Sequence, residues 1–161
     1  MDVLILDASS ANINGECQLT DYKNNIEILS YSHGVSQPIT GDQSNTKRTS
    51  GKPDHQDFTI TKFQDLSSCK LIDFCNQAKP IPTLKFTIGQ NSNGKVEKIF
   101  VYEMTNALVS AVQTSGGGGK PTETVTFNYT KMSWTYNVQK SNVGEAGNAS
   151  ATWNLATNST N

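Results

Sequence analysis

The sequence is poor in the side chains that usually build metal centres and disulfide frameworks. It has three cysteines and two histidines among 161 residues. An odd number of cysteines does not indicate a disulfide framework. Cys69 and Cys75 lie on one predicted helix and point about 120° apart, too far round to bridge each other. A zinc site normally contains a Cys-x2-Cys or His-x3-His pair, and the sequence has neither. We therefore expect no metal site.

Long apolar runs and an excess of either charge are also missing. No stretch approaches the ~20 apolar residues of a transmembrane helix, so we expect no membrane insertion. The N terminus lacks the basic start and apolar core of a secretory signal, which predicts a chain made in the cytoplasm and not exported by the general route. The net charge of −1, with 17% charged residues, does not favour nucleic acid as a partner.

Polar uncharged residues and strand patterns are what the chain does have. Apolar residues make up only 35% of it, and Asn, Ser and Thr are abundant. This is typical of an all-β protein with polar outer faces. The length predicts one domain, residues 1–161. Alternation of apolar and polar residues predicts half-buried strands at 3–6, 26–35, 57–63, 83–88, 96–103, 107–114, 122–130, 132–138 and 151–155.

One segment, 66–79, has the period of a helix instead. Four apolar residues fall at i, i+3, i+4 and i+7 and would share one face: Leu71, Phe74, Cys75 and Ala78. Ser67 or Ser68 is expected to cap its start, and Pro80 to end it. About eight to ten strands around a single helix predict two sheets, or one sheet curled into a barrel, with the helix on an open flank.

The segment 37–55 is the longest without a strand or helix pattern. It is polar, rich in Gly, Ser and Thr, and contains two prolines. A loop of this length within a compact domain is uncommon and usually functional. The tail 156–161 is also polar, and we expect it to fray.

No catalytic constellation stands out. A Cys–His pair would need His33 or His55 beside Cys17 or Cys69, and nothing local resembles a nucleophile motif. The scattered carboxylates are better explained as solvated turn residues than as a glycosidase pair. The sequence therefore favours a surface that binds other protein chains, through strand edges and the long loop.

The four glycines at 116–119, followed by Lys120, invite comparison with a phosphate-binding loop. That motif requires Ser or Thr after the lysine and an earlier glycine, whereas this sequence has Pro121 and Thr114 at those places. The run also leads into a predicted strand and not into a helix. We interpret it as a flexible hairpin tip.

Several short motifs occur in a consistent order. Gly15 and Glu16 follow the first strand, and 26–37 ends in an aromatic-Ser-aromatic-Gly-x-Ser-Gln pattern in which His33 replaces the second aromatic residue. The other motifs are the strand 57–63, the helix 71–78, the strand 84–88, the segment 108–112 before the glycine run, 123–129, and Trp153-Asn154-Leu155. Each is weak alone, but together they span nearly the whole chain. In number and order they resemble the haemolysin-coregulated protein (Hcp) family of bacterial type VI secretion.

The resemblance implies a mainly β fold, a single-domain β-barrel of two sheets with one flanking α-helix, as in phage tail tubes. It implies a structural protein and not an enzyme, without a cofactor. Hexameric rings with a wide channel would stack into a tube inside a contractile sheath, with a spike at its tip. Effectors would be carried or chaperoned in the channel, and the protein would be secreted to the extracellular space or a target cell.

The loop 37–55 is then predicted to contact the adjacent ring. Its candidate docking residues are Thr40, Asp42, Lys47, Arg48, Lys52 and Asp54. Such polar contacts are individually weak, but they add up around a closed ring. Ser32, inside the strand motif, is carried over from the family pattern as a candidate for the channel wall.

Two other function classes stay open. A monomeric β-sandwich module that binds carbohydrate or acts as an adhesin would use Trp134, Tyr136 and Trp153, whose rings can stack on sugars. Core packing explains Trp134 and Tyr136 better, because they share one face of a strand. A small cysteine hydrolase would need an exposed Cys17 or Cys69 beside a histidine.

Overall fold

A computed structural model describes residues 2–40, 49–138 and 148–161. In these ranges the chain is mainly β with one α-helix, as predicted. The helix α1 spans Ser68–Gln77. The strands are β1 (Asp2–Asp7), β2 (Ile26–Glu27), β3 (Ser30–Ser32), β4 (Val35–Ser36), β5 (Ile39–Thr40), β6 (Thr49–Ser50), β7 (Asp54–His55), β8 (Phe58–Phe63), β9 (Ile81–Ser92), β10 (Lys95–Ser115), β11 (Thr122–Asn128), β12 (Lys131–Asn137) and β13 (Asn148–Asn154).

Two antiparallel sheets share the 21-residue strand β10. As far as Ala107, β10 pairs with β9 and β12, and from Leu108 it pairs with β11. The first sheet has the order β2-β1-β9-β10-β12-β13, and the second has the order β10-β11-β8-β3. Asn106 has a left-handed φ of 54° where β10 leaves the first sheet. The two segments predicted at 96–103 and 107–114 are therefore one bent strand.

The chain also crosses between the sheets at Ile28 and Leu29. The Ile28 amide donates to the Leu4 carbonyl at 3.0 Å, and the Leu29 amide donates to the Thr61 carbonyl at 2.8 Å. Because these consecutive residues pair with different sheets, the prediction of one continuous strand at 26–35 is wrong. The sheets wrap around one core, and the hydrogen-bonded ladder stays open.

The core lies between the sheets and beneath α1. Fully buried side chains come from both sheets and the helix: Leu6, Ile26, Phe58, Ile60, Leu71, Leu84, Phe86, Met104, Val125, Phe127 and Met132. In α1, Leu71 and Phe74 are buried and Cys75 packs against the core. Ala78 is exposed, because it ends the helix in a left-handed conformation with φ 49°. The predicted apolar face is thus confirmed except at Ala78.

The start of the helix is organised by Asp65. Its Oδ1 accepts a hydrogen bond from the Ser67 amide at 2.9 Å, and its amide donates to Ser68 Oγ at 3.0 Å. Ser67 makes no capping bond with its side chain. The Ser68 hydroxyl is occupied elsewhere, because it also donates to Glu123 Oε1 at 2.8 Å. The predicted serine cap is therefore wrong, since both serines bond to Asp65.

Two tight connections follow the sequence closely. Asn93 and Gly94, with φ of 51° and 79°, form the turn between β9 and β10. Asn-Gly favours this turn because both residues tolerate positive φ. The glycine run at 116–119 connects β10 to β11, which confirms the predicted hairpin tip.

Gly15 lies where the backbone approaches itself too closely for a side chain. A Cβ there would be 2.5 Å from the Asn25 carbonyl oxygen and 2.8 Å from Ile26 Cα. Because both are backbone atoms, we expect Gly15→Ala to lower the free energy of unfolding by about 2 kcal/mol in urea denaturation. Gly117→Ala is the matched control, because a Cβ there meets nothing within 4 Å. Equal effects of the two substitutions would contradict the prediction.

Candidate assembly surfaces

The outer face of the second sheet carries two rows of hydroxyl side chains across β3, β8 and β11. The register aligns Ser30, Thr61 and Thr124 in one row, and Ser32, Thr59 and Thr126 in the other. We call these residues the hydroxyl face. They are exposed or half-buried and uncharged. The face arises because serine and threonine occupy alternate positions, which point to one side of a strand.

The charged residues of the same strands point into the protein. Lys62 of β8 and Glu123 of β11 face each other in register, and their exposed fractions are 0% and 1%. Lys62 Nζ forms ion pairs with Glu123 Oε1 and, at 2.9 Å, with Asp65 Oδ1. Sequence reasoning missed this cluster. The sequence did contain a signal for the burial of Lys62. This residue follows Phe58 and Ile60 at two-residue intervals, so its side chain lies on the same, buried side of the strand.

Both ends of the hydroxyl face are bounded by paired polar or charged groups. At one end, Asp57 accepts hydrogen bonds from Asn128 Nδ2 at 2.9 Å and from Ser110 Oγ at 3.2 Å. At the other end, the Lys120 ammonium lies 5.0 Å from the centroid of the Phe63 ring. Asp57 and Lys120 therefore both have partners within the protein, and the hydroxyl face between them carries no charged side chain.

The outer face of the first sheet is different in character. The register places Asp7, Lys85 and Glu103 side by side across β1, β9 and β10. A row of charges of alternating sign therefore crosses this sheet, next to the uncharged row of Ile5, Thr87 and Val101, whereas two rows of hydroxyl groups cross the other sheet. The two sheets present chemically distinct surfaces.

The segment 37–55 forms part of an antiparallel ribbon. Strand β4 pairs with β7, and β5 pairs with β6. We call residues 35–40 and 49–55 the ribbon. For the described residues, the expectation of a segment without secondary structure is therefore wrong. These strands could not be recognised in the sequence, because two residues are too few to produce a detectable period.

Four of the predicted contact residues lie in the described part of the chain. Lys52 and Asp54 are exposed on the ribbon, and Thr40 belongs to β5. Ser32 is exposed in β3 and belongs to the hydroxyl face, so it does not lie within the ribbon. The remaining three fall outside the described residues: Asp42, Lys47 and Arg48.

The two histidines meet at the base of the ribbon. The ring centroids of His33 and His55 are 6.4 Å apart. The Tyr129 hydroxyl lies between them, 3.1 Å from His55 Nδ1 and 3.4 Å from His33 Nε2. Burial lowers the pKa of both histidines and raises the pKa of Tyr129. Sequence reasoning did not predict this contact, because the three residues are far apart in the chain.

This arrangement does not support nucleophilic catalysis. Cys17 is buried, and burial together with Glu27 raises the pKa of its thiol, which disfavours the reactive thiolate. The imidazoles contact Tyr129 in place of a cysteine. In the described residues, no group of three His, Cys, Asp or Glu side chains is placed to hold a metal ion. Nor does that part of the chain contain a helix of the length and apolarity needed to cross a membrane.

The aromatic residues of the carbohydrate-binding alternative do not form one exposed platform. Trp134 packs against the core. Trp153 is half-buried and pairs in register with the buried Met132. Tyr136 is 42% exposed, at the end of β12. A single exposed ring is a weak basis for sugar stacking.

Two sheets joined by a bent strand, with one flanking helix and polar outer faces, define this chain as a mainly β, two-sheet protein. Solved structures share this fold over nearly the full chain. A type six secretion system protein is 29% identical and superposes with a TM-score of 0.84, covering 98% of this chain and 97% of its own. The Hcp1 protein of E. coli EAEC 042, as a mutant, is 25% identical, with a TM-score of 0.75 and coverages of 96% and 97%. Hcp1 from Salmonella typhimurium, at 21% identity and a TM-score of 0.79 with coverages of 97% and 96%, supports the fold alone.

Sequence comparison identifies the family. A model of the family described as "Type VI secretion system effector, Hcp" matches residues 6–136. Protein hcp1 of Pseudomonas aeruginosa is 31% identical over 106 residues, a match that spans 64% of this chain and 65% of that protein. The chain belongs to the Hcp family of type VI secretion system proteins. It is accordingly a structural protein and not an enzyme.

Proposed function

We propose that this chain is the tube component of a type VI secretion system. It assembles as hexameric rings, which stack into the inner tube that the sheath expels with its spike. The observation that carries this proposal is the whole-chain likeness to a type six secretion system protein, at a TM-score of 0.84. The protein is secreted with the tube to the extracellular space or a target cell, and effector proteins travel in its channel.

The hydroxyl face is the proposed channel wall, and Ser32 is part of it. Hydroxyl groups remain hydrated and form hydrogen bonds of only modest net strength, so a passing protein is held weakly. A neutral wall also has no charge that would retain cargo of opposite sign. The alternating charges around Lys85 on the first sheet suit an outward surface instead. This division of chemistry supports a channel that accepts different effectors.

The ribbon is the proposed contact between rings. It presents both apolar and charged side chains, since Val35 and Ile39 are 51% and 58% exposed, and Lys52 and Asp54 are exposed beside them. Each contact contributes little, but the ring symmetry repeats it for every subunit. Thr40 of β5, together with Asp42, Lys47 and Arg48 from outside the described residues, completes the proposed docking set.

Deletion of residues 40–52 should leave a folded protein whose rings no longer stack. The deletion removes β6 and part of β5, but it spares the core and the β4–β7 pairing at the ribbon base. We expect wild-type protein to form hexameric rings and stacks, and the deletion variant to form rings alone. Solution mass and negative-stain electron microscopy measure this, and circular dichroism verifies folding.

A variant in which 40–52 is replaced by a Gly/Ser linker of equal length separates chain length from side-chain chemistry. It should behave like the deletion, because the docking side chains are absent from both. Unchanged tubes in either variant would contradict the stacking role. A wild-type monomer at every concentration would contradict the tube function itself.

A further inference from the structure

Three side chains join the base of the ribbon to the body of the protein. His33 immediately precedes the arm that contains β4, and His55 belongs to the other arm, in β7. Tyr129 comes from the connection between β11 and β12 and is 4% exposed. Its hydroxyl is within 3.4 Å of both imidazoles and also lies 3.4 Å from the Gln56 carbonyl oxygen. The two arms are thus held to one buried hydroxyl group.

In the neutral form of this cluster, the Tyr129 hydroxyl can hydrogen-bond to both imidazoles, while His33 Nδ1 is buried without a partner among the described residues. A tyrosine hydroxyl donates one hydrogen bond and accepts up to two, and each neutral imidazole has one N–H and one free nitrogen. With its single proton, the Tyr129 hydroxyl either donates to the Gln56 carbonyl and accepts from both imidazoles, or donates to one imidazole and accepts from the other. The arms also exchange a backbone bond, in which the Gln56 amide donates to the Gly34 carbonyl at 2.9 Å. Neutral His33 and His55 hold the arms together.

Charging both imidazoles would make the same geometry unfavourable. The two positive charges would lie about 6 Å apart, one on each arm, in a partly buried site where their repulsion is poorly screened. Aromatic rings surround His33, with centroids at 5.7 to 6.3 Å: Phe58, Tyr102 and Trp134. The facing groups with ionisable side chains are Asp54 beside His55, Asp57 beside Tyr129, and Tyr102 beside His33.

We propose that His33, His55 and Tyr129 form a pH-operated latch at the base of the ribbon. With both imidazoles neutral, β4 stays paired with β7. When acid protonates both, like-charge repulsion between the arms separates β4 from β7. The ligand of this site is the proton, and the moving part is the ribbon base, not the sheets.

The direction of the pH dependence follows from linkage. Burial lowers the pKa of each histidine from 6.5. The charge on His55 lowers the pKa of His33 further, while a backbone hydrogen bond with Gln56 raises it; Asp54 raises the pKa of His55. An open ribbon leaves both imidazoles solvated, with ordinary pKa values, so the open form binds more protons below pH 6.5. The closed ribbon therefore has its full stability above pH 6.5 and loses it as the pH falls.

The consequence for assembly rests on the proposed stacking function. If the ribbon joins adjacent rings, acid should weaken stacking without unfolding the subunits. The latch itself can be measured on the subunit whether or not rings stack, so failure of the tube proposal and failure of the latch remain distinguishable.

The first measurement uses Trp134, whose ring centroid lies 5.9 Å from His55 and 6.3 Å from His33. A protonated imidazole quenches a nearby indole. Since the chain has two tryptophans, Trp153→Phe leaves Trp134 as the sole emitter. We expect its emission to fall between about pH 8 and about pH 5, where imidazoles titrate, with a midpoint below 6.5. His33→Gln and His55→Asn keep a neutral nitrogen or oxygen toward Tyr129 and should each weaken the quenching.

The second measurement is hydrogen exchange at the Gln56 amide, corrected for the intrinsic effect of pH. We expect its protection to fall about tenfold or more across the same range. The Gly15 amide, bonded to the Asn24 carbonyl at 2.8 Å in another part of the protein, should not change. The double variant His33→Gln/His55→Asn, which leaves Asp54 and Asp57 in place, should lose the pH dependence. Constant Gln56 protection in the wild type, or an unchanged pH dependence in the double variant, would overturn the proposal.

Discussion

Lys62→Met is expected to lower the free energy of unfolding by about 3–5 kcal/mol, because it leaves buried carboxylates without their cation. The Lys62 side chain is inaccessible, and its ammonium bonds to Asp65 Oδ1, Glu123 Oε1 and the Phe63 carbonyl. Glu123 Oε2 is also buried, with no hydrogen-bond partner among the described residues. Urea denaturation monitored by circular dichroism measures the change. Lys98→Met, at an exposed position of β10, should change stability by about 0.5 kcal/mol or less.

The double variant Lys62→Met/Glu123→Leu provides the second test. Replacing both members of a buried ion pair by apolar side chains is often close to neutral, whereas removing one member is costly. We therefore expect the double variant to recover most of the lost stability, with a strongly non-additive cycle. If Lys62→Met costs no more than Lys98→Met, the buried ion pair does not support the fold as described.

Phe74→Asp should lower the free energy of unfolding by about 4 kcal/mol and prevent ring formation. Phe74 lies on the buried face of α1 and is 6% exposed, so the substitution removes a large apolar side chain and buries an unpaired charge. It also removes the ring that the Lys79 ammonium approaches to 5.0 Å. Denaturation curves and solution mass report the two effects.

Ile72→Asp is the matched control on the same helix. Ile72 lies on the opposite side of α1 and is 40% exposed, so an aspartate there remains hydrated. It should cost less than about 1 kcal/mol. A Phe74→Asp protein that folds and assembles normally would show that α1 does not cover the core flank.

Local features of the fold could be predicted because they depend on neighbouring residues. The spacing of Leu71, Phe74 and Cys75 sets one face of a helix whatever surrounds it. The Asn93-Gly94 turn likewise depends on φ preferences that the residues carry with them. Strand alternation was readable for the same reason, since side chains change sides at every residue.

Pairing and register could not be predicted from such local signals. Nothing near residue 107 indicates that β10 changes sheets, and nothing near Ile28 indicates that the chain crosses over. Both depend on which distant strands compete for the same backbone groups. The hydroxyl face has the same origin, because Ser32, Thr59 and Thr126 become neighbours only when β3, β8 and β11 pair in one register.

The mainly β character, the helix near residues 68–77, the hairpin turns and, through the resemblance, the Hcp family could all be read from the sequence. Only the folded chain shows that Lys62 pairs with Glu123 and that Tyr129 joins His33 to His55 across 96 and 74 positions of the chain. The difference arises because sequence patterns reflect only residues that are close together in the chain. Periodicity records which way a side chain points relative to its neighbours, whereas burial and pKa depend on what the folded chain places opposite it.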